Sequence, residues 1–223
     1  MAPCCVRRYE DSDYEAVCAL FTRGMMEHVP AAYWHMLRSA SLWLLCLGLF
    51  LAVLLGTGSL LAALGTLLLL LTGVWFYMRA LWLDYVHESL RQDMLDIRRT
   101  YLGAADTCMW VAEAAGAVLG MVGVMVPEDP SEQGWALELR RMSVGREHRG
   151  QGVARMLCRT VVRFAQERGY GAVVLSTSVV QVSAQRLYES EGFRRVSKAF
   201  PSRLAKLLGF YIIHYQYEIP GGR

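Results

Sequence analysis

His148-Arg149-Gly150-Gln151-Gly152-Val153-Ala154 is the stretch on which the fold of this chain turns. Before it, residues 135–144 (WALELRRMSV) read as a strand. After it, Gly152 to Arg168 reads as a helix with Val153, Met156, Leu157, Val161 and Phe164 along one side. Glycines at a strand-to-helix junction let backbone N–H groups come close to a ligand. The helix N-terminus behind them adds the positive end of a dipole. Together they form a site for phosphate oxygens, with Arg146, Arg149 and Arg155 adding formal charge. The stretch has no Gly-Lys-Ser/Thr ending, so it is not a Walker loop, and it is not the G-x-G-x-x-G dinucleotide signature.

Around this junction the elements alternate. Downstream, 171–179 (GAVVLSTSV) is an apolar run with little alternation, as expected of a central strand buried on both faces. Residues 183–192 (SAQRLYESEG) read as a short helix closed by Gly192, and 193–200 and 210–219 as the last two strands. Upstream, Met109–Glu113 and Val118–Val126 make a hairpin turned at Ala115-Gly116 and closed by Pro127 and Pro130. Residues 79–103 read as one helix with Leu83, Val86, Leu90, Met94 and Ile97 as a buried stripe and Gly103 as its stop. At the start, 4–25 read as a strand and then a helix capped by Asp11 or Ser12, with Val17, Leu20 and Phe21 inward. The whole is a mixed α/β domain.

One segment breaks this pattern. The chain has 223 residues, 54% of them hydrophobic and 19% charged, and the apolar excess is local. From Ser39 to Met78 there is no charged residue. A bilayer crossing takes roughly 20 residues, so the segment suits two, with Gly56-Thr57-Gly58-Ser59 as the turn. One long tilted helix and a monotopic or buried arrangement are the alternatives. Strands on either side of the insert should join one sheet, which requires an even number of crossings. The expected organisation is therefore 1–38 (first strand and helix), 39–78 (transmembrane helical hairpin) and 79–223 (the rest of the domain). Glu10, Asp11, Asp13 and Glu15 come too early for a cleaved leader. The net charge of +3 makes no case for nucleic acid. The six cysteines are scattered without metal-site spacing and read as reduced packing thiols, with lipidation of Cys4 or Cys5 as an alternative.

Two further motifs carry a resemblance. Arg149-Gly150-Gln151-Gly152-Val153-Ala154 fits the Arg/Gln-x-x-Gly-x-Gly/Ala loop of the GCN5-related N-acetyltransferase superfamily. Ala184, Leu187, Tyr188, Gly192 and Phe193 fit its late A-x-x-L-Y-x-x-x-G-F motif, and the opening VRRYEDSDYEAVCALF resembles its first strand and helix. The opening MAPC, the apolar insert, Leu119-Gly120-Met121-Val122-Gly123 and EHRGQGVA followed by VRFAQERGY are similar to the camello-like family, over nearly the full length. That family includes an endoplasmic-reticulum enzyme acting on cysteine S-conjugates. The resemblance implies the superfamily's α/β fold, a mixed and mostly antiparallel sheet flanked by helices, here interrupted by the two-pass hairpin. It implies acetyl-CoA as cosubstrate, no metal, and direct attack of a free amine on the thioester.

The resemblance also distributes roles. The amides of Arg149, Gly150, Gln151, Gly152, Val153 and Ala154 would hold the pyrophosphate. The backbone of Met142, Ser143 and Val144 would face the pantetheine arm and the acetyl oxygen. Tyr188 would return a proton to the leaving thiolate, and packing under the late helix is its other reading. Glu138 is the candidate base, with Glu113 and His148 as alternatives. Strict alternation puts Glu138, Arg140 and Met142 on one face and Leu139, Arg141 and Ser143 on the other. Arg140 or Arg141 could grip a substrate carboxylate. The superfamily often has asparagine where this chain has Gln181, which leaves one orienting role open.

Arg23 and Arg38 precede the insert and Arg79 and Arg91 follow it, while its turn has no cation. Both flanks are then expected on the cytosolic side, at the endoplasmic reticulum by resemblance, with a lumen-facing domain as the alternative that the resemblance leaves open. The expected acceptor is a cysteine S-conjugate, and the lipid bilayer is the expected partner. A membrane-bound protein lysine acetyltransferase and a catalytically inactive membrane scaffold are the alternatives. Gly48, Ala52, Gly56, Ala62 and Ala63 would suit either a homo-oligomer or packing within the hairpin.

Overall fold

The computed structural model describes residues 4–221, so Met1 to Pro3 of the opening MAPC lie outside it. The elements, in chain order, are β1 (Cys5–Arg8), α1 (Tyr14–Met26), α2 (Val29–Leu37), α3 (Ala40–Thr57), α4 (Leu60–Arg91), α5 (Ile97–Leu102), β2 (Cys108–Ala114), β3 (Ala117–Met125), β4 (Ala136–Val144), α6 (Val153–Glu167), β5 (Ala172–Ser178), α7 (Val182–Ser190), β6 (Arg194–Ala199), α8 (Arg203–Leu207) and β7 (Ile212–Glu218). The strands form one seven-stranded sheet in the order β1-β2-β3-β4-β5-β7-β6. Every neighbouring pair is antiparallel except β4 and β5, which run parallel.

Two apolar layers sandwich the sheet. Beneath one face, Leu157, Val161 and Phe164 of α6 meet Val122, Leu137, Leu139, Leu175 and Tyr215. Over the other, Val17, Leu20 and Phe21 of α1 join Val86 of α4, Met94, Ile97 and Tyr101 on Met109, Val111 and Met121. The start of α1 differs from expectation. Arg7 grips Asp13 with two hydrogen bonds (2.7 and 2.9 Å), and the Glu10 amide donates to the same carboxylate at 2.9 Å. Asp13 and Glu10 therefore close the helix start, while Asp11 pairs with Arg98 at 2.8 Å.

Helices α3 and α4 form a helical hairpin, turned at Gly58, whose φ of +66° suits glycine. Helices α3 and α4 are each long and apolar enough to cross a membrane, with mean hydropathy 2.2 and 2.0 over windows that are only 11% and 6% buried. Leu42, Cys46 and Ala63 are buried, whereas a Cβ on Gly48 or Gly56 would meet nothing within 4 Å.

The segment after the hairpin also differs. Helix α4 does not stop at Met78 but runs on to Arg91, so its last turns belong to the α/β body. The chain then breaks at residues 92–96 and restarts as α5, capped by the Asp96 side chain on the Arg99 amide. The periodic stripe read as one helix thus comes from two, because Asp93 turns inward at the break. The reading also missed α2 and α8, both short.

Candidate active site

The parallel ladder between β4 and β5 is brief. It pairs Ala136 with Ala172, Leu137 with Val173 and Glu138 with Val174, then ends. Yet β4 continues to Val144 and β5 to Ser178. Beyond Glu138 the two strands part, and their facing edges carry backbone donors and acceptors that find no partner in each other.

A bulge in β4 accompanies this parting. Against β3, the register runs Met121–Ser143 and then Gly123–Arg140, so Arg141 and Met142 together oppose Val122. Arg141 sits at φ +55°, a left-handed conformation that costs a non-glycine residue about 1–2 kcal/mol. Its side chain shows what holds it there. The guanidinium donates to both Asp93 oxygens (2.8 and 2.7 Å) and to the Tyr85 hydroxyl (2.7 Å). It lies 5.4 Å from the Phe21 ring centroid and 5.5 Å from that of Tyr85. Tyr101 donates to Asp93 from below and covers β3 so closely that a Cβ on Gly123 would come within 2.7 Å of its ring.

The bulge corrects the alternation expected from sequence. One extra residue flips the parity, so Met142 packs with Leu139 and Val144 in the layer under α6. Arg141 instead joins the α1–α4 side. Both of its nitrogens on the Asp93 side are committed to the carboxylate, so it holds the backbone rather than presenting an open fork. Arg140 is more available. It bonds Glu128 at 3.1 Å and lies 3.7 Å from Glu138, and Glu128 is itself 79% exposed.

At the free end of β4 the glycine stretch is built as a cradle. Gly150 and Gly152 have φ of +76° and +83°. Helix α6 starts at Gly152 with no side-chain cap, and among the described residues the amides of Gly150 to Ala154 donate to no protein acceptor. Gln151 folds back onto the Glu147 carbonyl at 3.2 Å. Arg149 braces the cradle by bonding the Val144 carbonyl at 3.1 Å and pairing with Glu27, just past α1, at 2.7 Å. Arg155 pairs with Glu191 at 2.8 Å, which leaves Arg146 outside any ion pair among the described residues. Ser143 Oγ, buried against Gly24 of α1, has no hydrogen-bond partner among the described residues.

Tyr188 stands at the mouth of the parting. Its ring is packed between Phe193 and Tyr215, at centroid distances of 5.7 and 6.0 Å. Its hydroxyl is 3.9 Å from Met142 Sδ. Burial, with smaller contributions from Cys158 and Tyr215, pushes the phenol well above its ordinary value, so it stays protonated. Gln181 fixes the adjoining end of β5. Its Oε1 accepts from the Ser178 amide (2.9 Å), Thr177 Oγ1 (3.0 Å) and Ser178 Oγ (3.1 Å). Gln185 donates to the Ser178 and Val179 carbonyls at 2.9 and 3.0 Å.

Glu138 occupies the apex, the last residue paired across β4 and β5, with its side chain 19% exposed. Burial holds its carboxyl above the ordinary glutamate value; Arg140 pulls it back, and Glu128 and Glu132 push it up. Glu113 is far away on the β1 side, paired with Arg7 at 2.6 Å. His148 stands at the cradle, 3.7 Å from Glu147. Sequence reasoning missed Ser176 and His214, whose side chains hydrogen-bond at 2.9 Å across β5 and β7. By alternation they share the face of Glu138 and Val174; only the paired register reveals this. Among the described residues no group of His, Cys, Asp and Glu is placed to hold a metal ion.

Comparison with known proteins bears on the family and the fold. The acetyltransferase (GNAT) family matches residues 75–193. The chain is 41% identical to N-acetyltransferase 8B of Homo sapiens over 223 residues, covering 100% of this chain and 98% of that one. It is 40% identical to N-acetyltransferase 8 of Homo sapiens with the same coverage. It is 41% identical to N-acetyltransferase family 8 member 3 of Mus musculus, covering 98% and 97%. Among solved structures, a GCN5-related N-acetyltransferase from Kribbella flavida superposes with a TM-score of 0.57 at 17% identity, over 97% and 98% of the two chains. An acetyltransferase from Salmonella typhimurium, solved with its cofactor acetyl-CoA, gives 0.52 at 14% identity over 96% and 93%.

Proposed function

This chain belongs to the acetyltransferase (GNAT) family, in its N-acetyltransferase 8 branch, and is an acetyl-CoA-dependent N-acetyltransferase; from that premise we propose that it acetylates the free α-amine of cysteine S-conjugates at the membrane. The observation that carries the site assignment is the parting of β4 from β5 beyond Glu138, with the Tyr188 hydroxyl 3.9 Å from Met142 at its mouth.

The residues fit the cosubstrate. The unpartnered amides of Gly150–Ala154 and the positive end of α6 suit phosphate oxygens, and Arg146 adds charge. The edge of β4 from Met142 to Val144 that has parted from β5, apart from the Val144 carbonyl held by Arg149, suits an extended arm bearing amides. Acetyl-CoA, when bound, supplies the thioester carbonyl that the amine attacks. Glu138 takes the proton from the incoming ammonium, for which a carboxyl raised towards neutral pH is better matched than an ordinary one. Tyr188, kept protonated by burial, holds beside Met142 a proton that it would give to a leaving thiolate. Arg140 holds the acceptor's carboxylate, exchanging Glu128 for it. Arg141 is a positioning residue that maintains the bulge.

Helices α3 and α4 cross the endoplasmic-reticulum membrane as a hairpin with both flanks in the cytosol, in this proposal. Their uncovered apolar surface supports it. A second reading, a protein lysine acetyltransferase, is favoured by one observation: Glu128 and Glu132 on the β3–β4 connection bear on Glu138, an acidic rim that would attract cationic peptides. Coenzyme A release by the detergent-purified protein decides between them. Turnover on S-benzyl-cysteine but not on a lysine peptide is expected. The reverse preference would overturn the small-molecule assignment.

A further inference from the structure

The segment from β6 up to β7 is basic. Residues 194–211 contain Arg194, Arg195, Lys198, Arg203 and Lys206 and no Asp or Glu, and the chain's only two lysines are both here. Arg195 is paired with Glu189 at 2.6 Å. Lys198, Arg203 and Lys206 form no ion pair among the described residues. Within this basic segment, α8 turns apolar residues outward: Leu204 is 47% and Leu207 61% exposed. They are three residues apart, so they share one side of the helix.

The placement of α8 gives these features a direction. Leu208 and Phe210, at its end, pack with Ala32 and Met36 of α2 and with Val74 and Met78 of α4. His35 Nε2 lies 2.9 Å from the Gly209 carbonyl. Val74 and Met78 are in the last turns of the charge-free run, which ends at Met78. Helix α8 therefore lies at the level where α4 leaves its apolar region. Trp34 of α2, 63% exposed, and the Tyr33–Trp75 pair, 5.3 Å between centroids, form aromatic surface near the same level, as at a membrane interface.

We propose that α8 and its flanks form a second membrane contact, a foot seated on the leaflet that the hairpin enters. Leu204 and Leu207 sit at the acyl boundary, and Lys198, Arg203 and Lys206 lie against anionic headgroups. This rests on the two-pass reading of α3 and α4. The occupant is lipid because Leu208 and Phe210 tie the patch to the turns of α4 where the apolar run ends and because its charge is uniformly positive. Val180, just past β5, packs in the same cluster, so the foot holds the mouth of the site at headgroup height.

The test uses the full chain in lipid nanodiscs. A nitroxide is placed at Leu207 through an encoded keto amino acid, leaving the native cysteines alone. Oxygen and nickel-chelate collision rates report its depth, with Leu69 on α4 and Glu167 at the far end of α6 as references. With phosphatidylserine present, Leu207 should read several-fold more oxygen-accessible, relative to chelate, than Glu167. Replacing Lys198, Arg203 and Lys206 by Gln should weaken docking, at about fivefold per cation. Leu207 reading like Glu167 while Leu69 stays deep overturns the foot and leaves the hairpin standing. Leu69 in water overturns both. Spin–spin broadening at Leu207, with no response to phosphatidylserine, would make the occupant a second copy and overturn the proposal.

Discussion

Asp93→Ala tests whether the bulge in β4 is held from the end of α4. The Arg141 and Asp93 side chains are 6% and 9% exposed and 2.7 Å apart. Removing one partner of a buried pair costs about 3–5 kcal/mol, because the other charge stays buried. Arg141 would keep only the Tyr85 hydroxyl, and its left-handed backbone, about 1–2 kcal/mol above the ordinary conformation, would lose its main restraint. At about 2–4 °C per kcal/mol for a domain of this size, the melting temperature should fall by about 6–20 °C. Thermal unfolding in detergent, followed by tryptophan fluorescence, measures it. The double variant Asp93→Ala with Arg141→Gly removes both the orphan charge and the strain, and should regain at least half of the loss. A single variant within about 1 kcal/mol of the parent, or a double variant no better than the single, would refute the reasoning.

The same pair has a pH signature. Burial raises the Asp93 carboxyl, but its hydrogen bonds from Arg141 and the guanidinium charge outweigh that, and the net shift is downward. A lowered folded value means the stabilisation is complete above the unfolded pKa, about 3.9. It is lost as pH falls through the folded value. The parent should therefore lose stability more steeply below about pH 4 than Asp93→Ala does.

Three further outcomes bear on the site. Tyr188→Phe keeps the ring between Phe193 and Tyr215 and deletes only the hydroxyl; kcat should drop by about 100-fold or more while the Kd for acetyl-CoA stays within about twofold. Glu138 has a raised carboxyl and must be ionised to accept a proton. The rate should therefore fall as pH drops through a value above the ordinary glutamate pKa of about 4.3, and Glu138→Gln should be slow and lack that limb. Gly152→Ala forces a side chain onto φ +83° with nothing within 4 Å to clash. The protein should remain folded, at a cost of about 1–2 kcal/mol, and its Kd for acetyl-CoA, measured by calorimetry, should rise about tenfold or more.

Much of this site can be read from the linear chain because its parts are local. Gly150 and Gly152 announce a left-handed turn before a helix, and the apolar run 171–179 announces a central strand. The hairpin is legible because a charge-free stretch of that length has few other fates. The bulge was not legible. Alternation is a rule for an unbroken ladder, and nothing in LELRRMSV signals that Arg141 and Met142 share one partner across the sheet. Ser176 and His214 escaped for a related reason: they meet only through the pairing of β5 with β7. Asp93 looked like a polar position on a long amphipathic helix, because the partner that turns it inward lies 48 residues further on.

The position of the hairpin in the chain now has a physical consequence. It is joined through α2 to the end of α1, where Gly24 lies against Ser143 and Glu27 pairs with Arg149. It returns through α4 to Tyr85 and Asp93, which hold Arg141. Both attachments act on the free half of β4, the half that has parted from β5. An apolar hairpin inserted at the Ala115-Gly116 turn would touch neither. A shift of α4 relative to α1 must move Tyr85 or Asp93 against Phe21, and Arg141 is clamped among all three. The backbone of Met142, directly beneath Tyr188, would move with it. A displacement of the hairpin would thus act on the distance between Met142 and the Tyr188 hydroxyl without touching either residue.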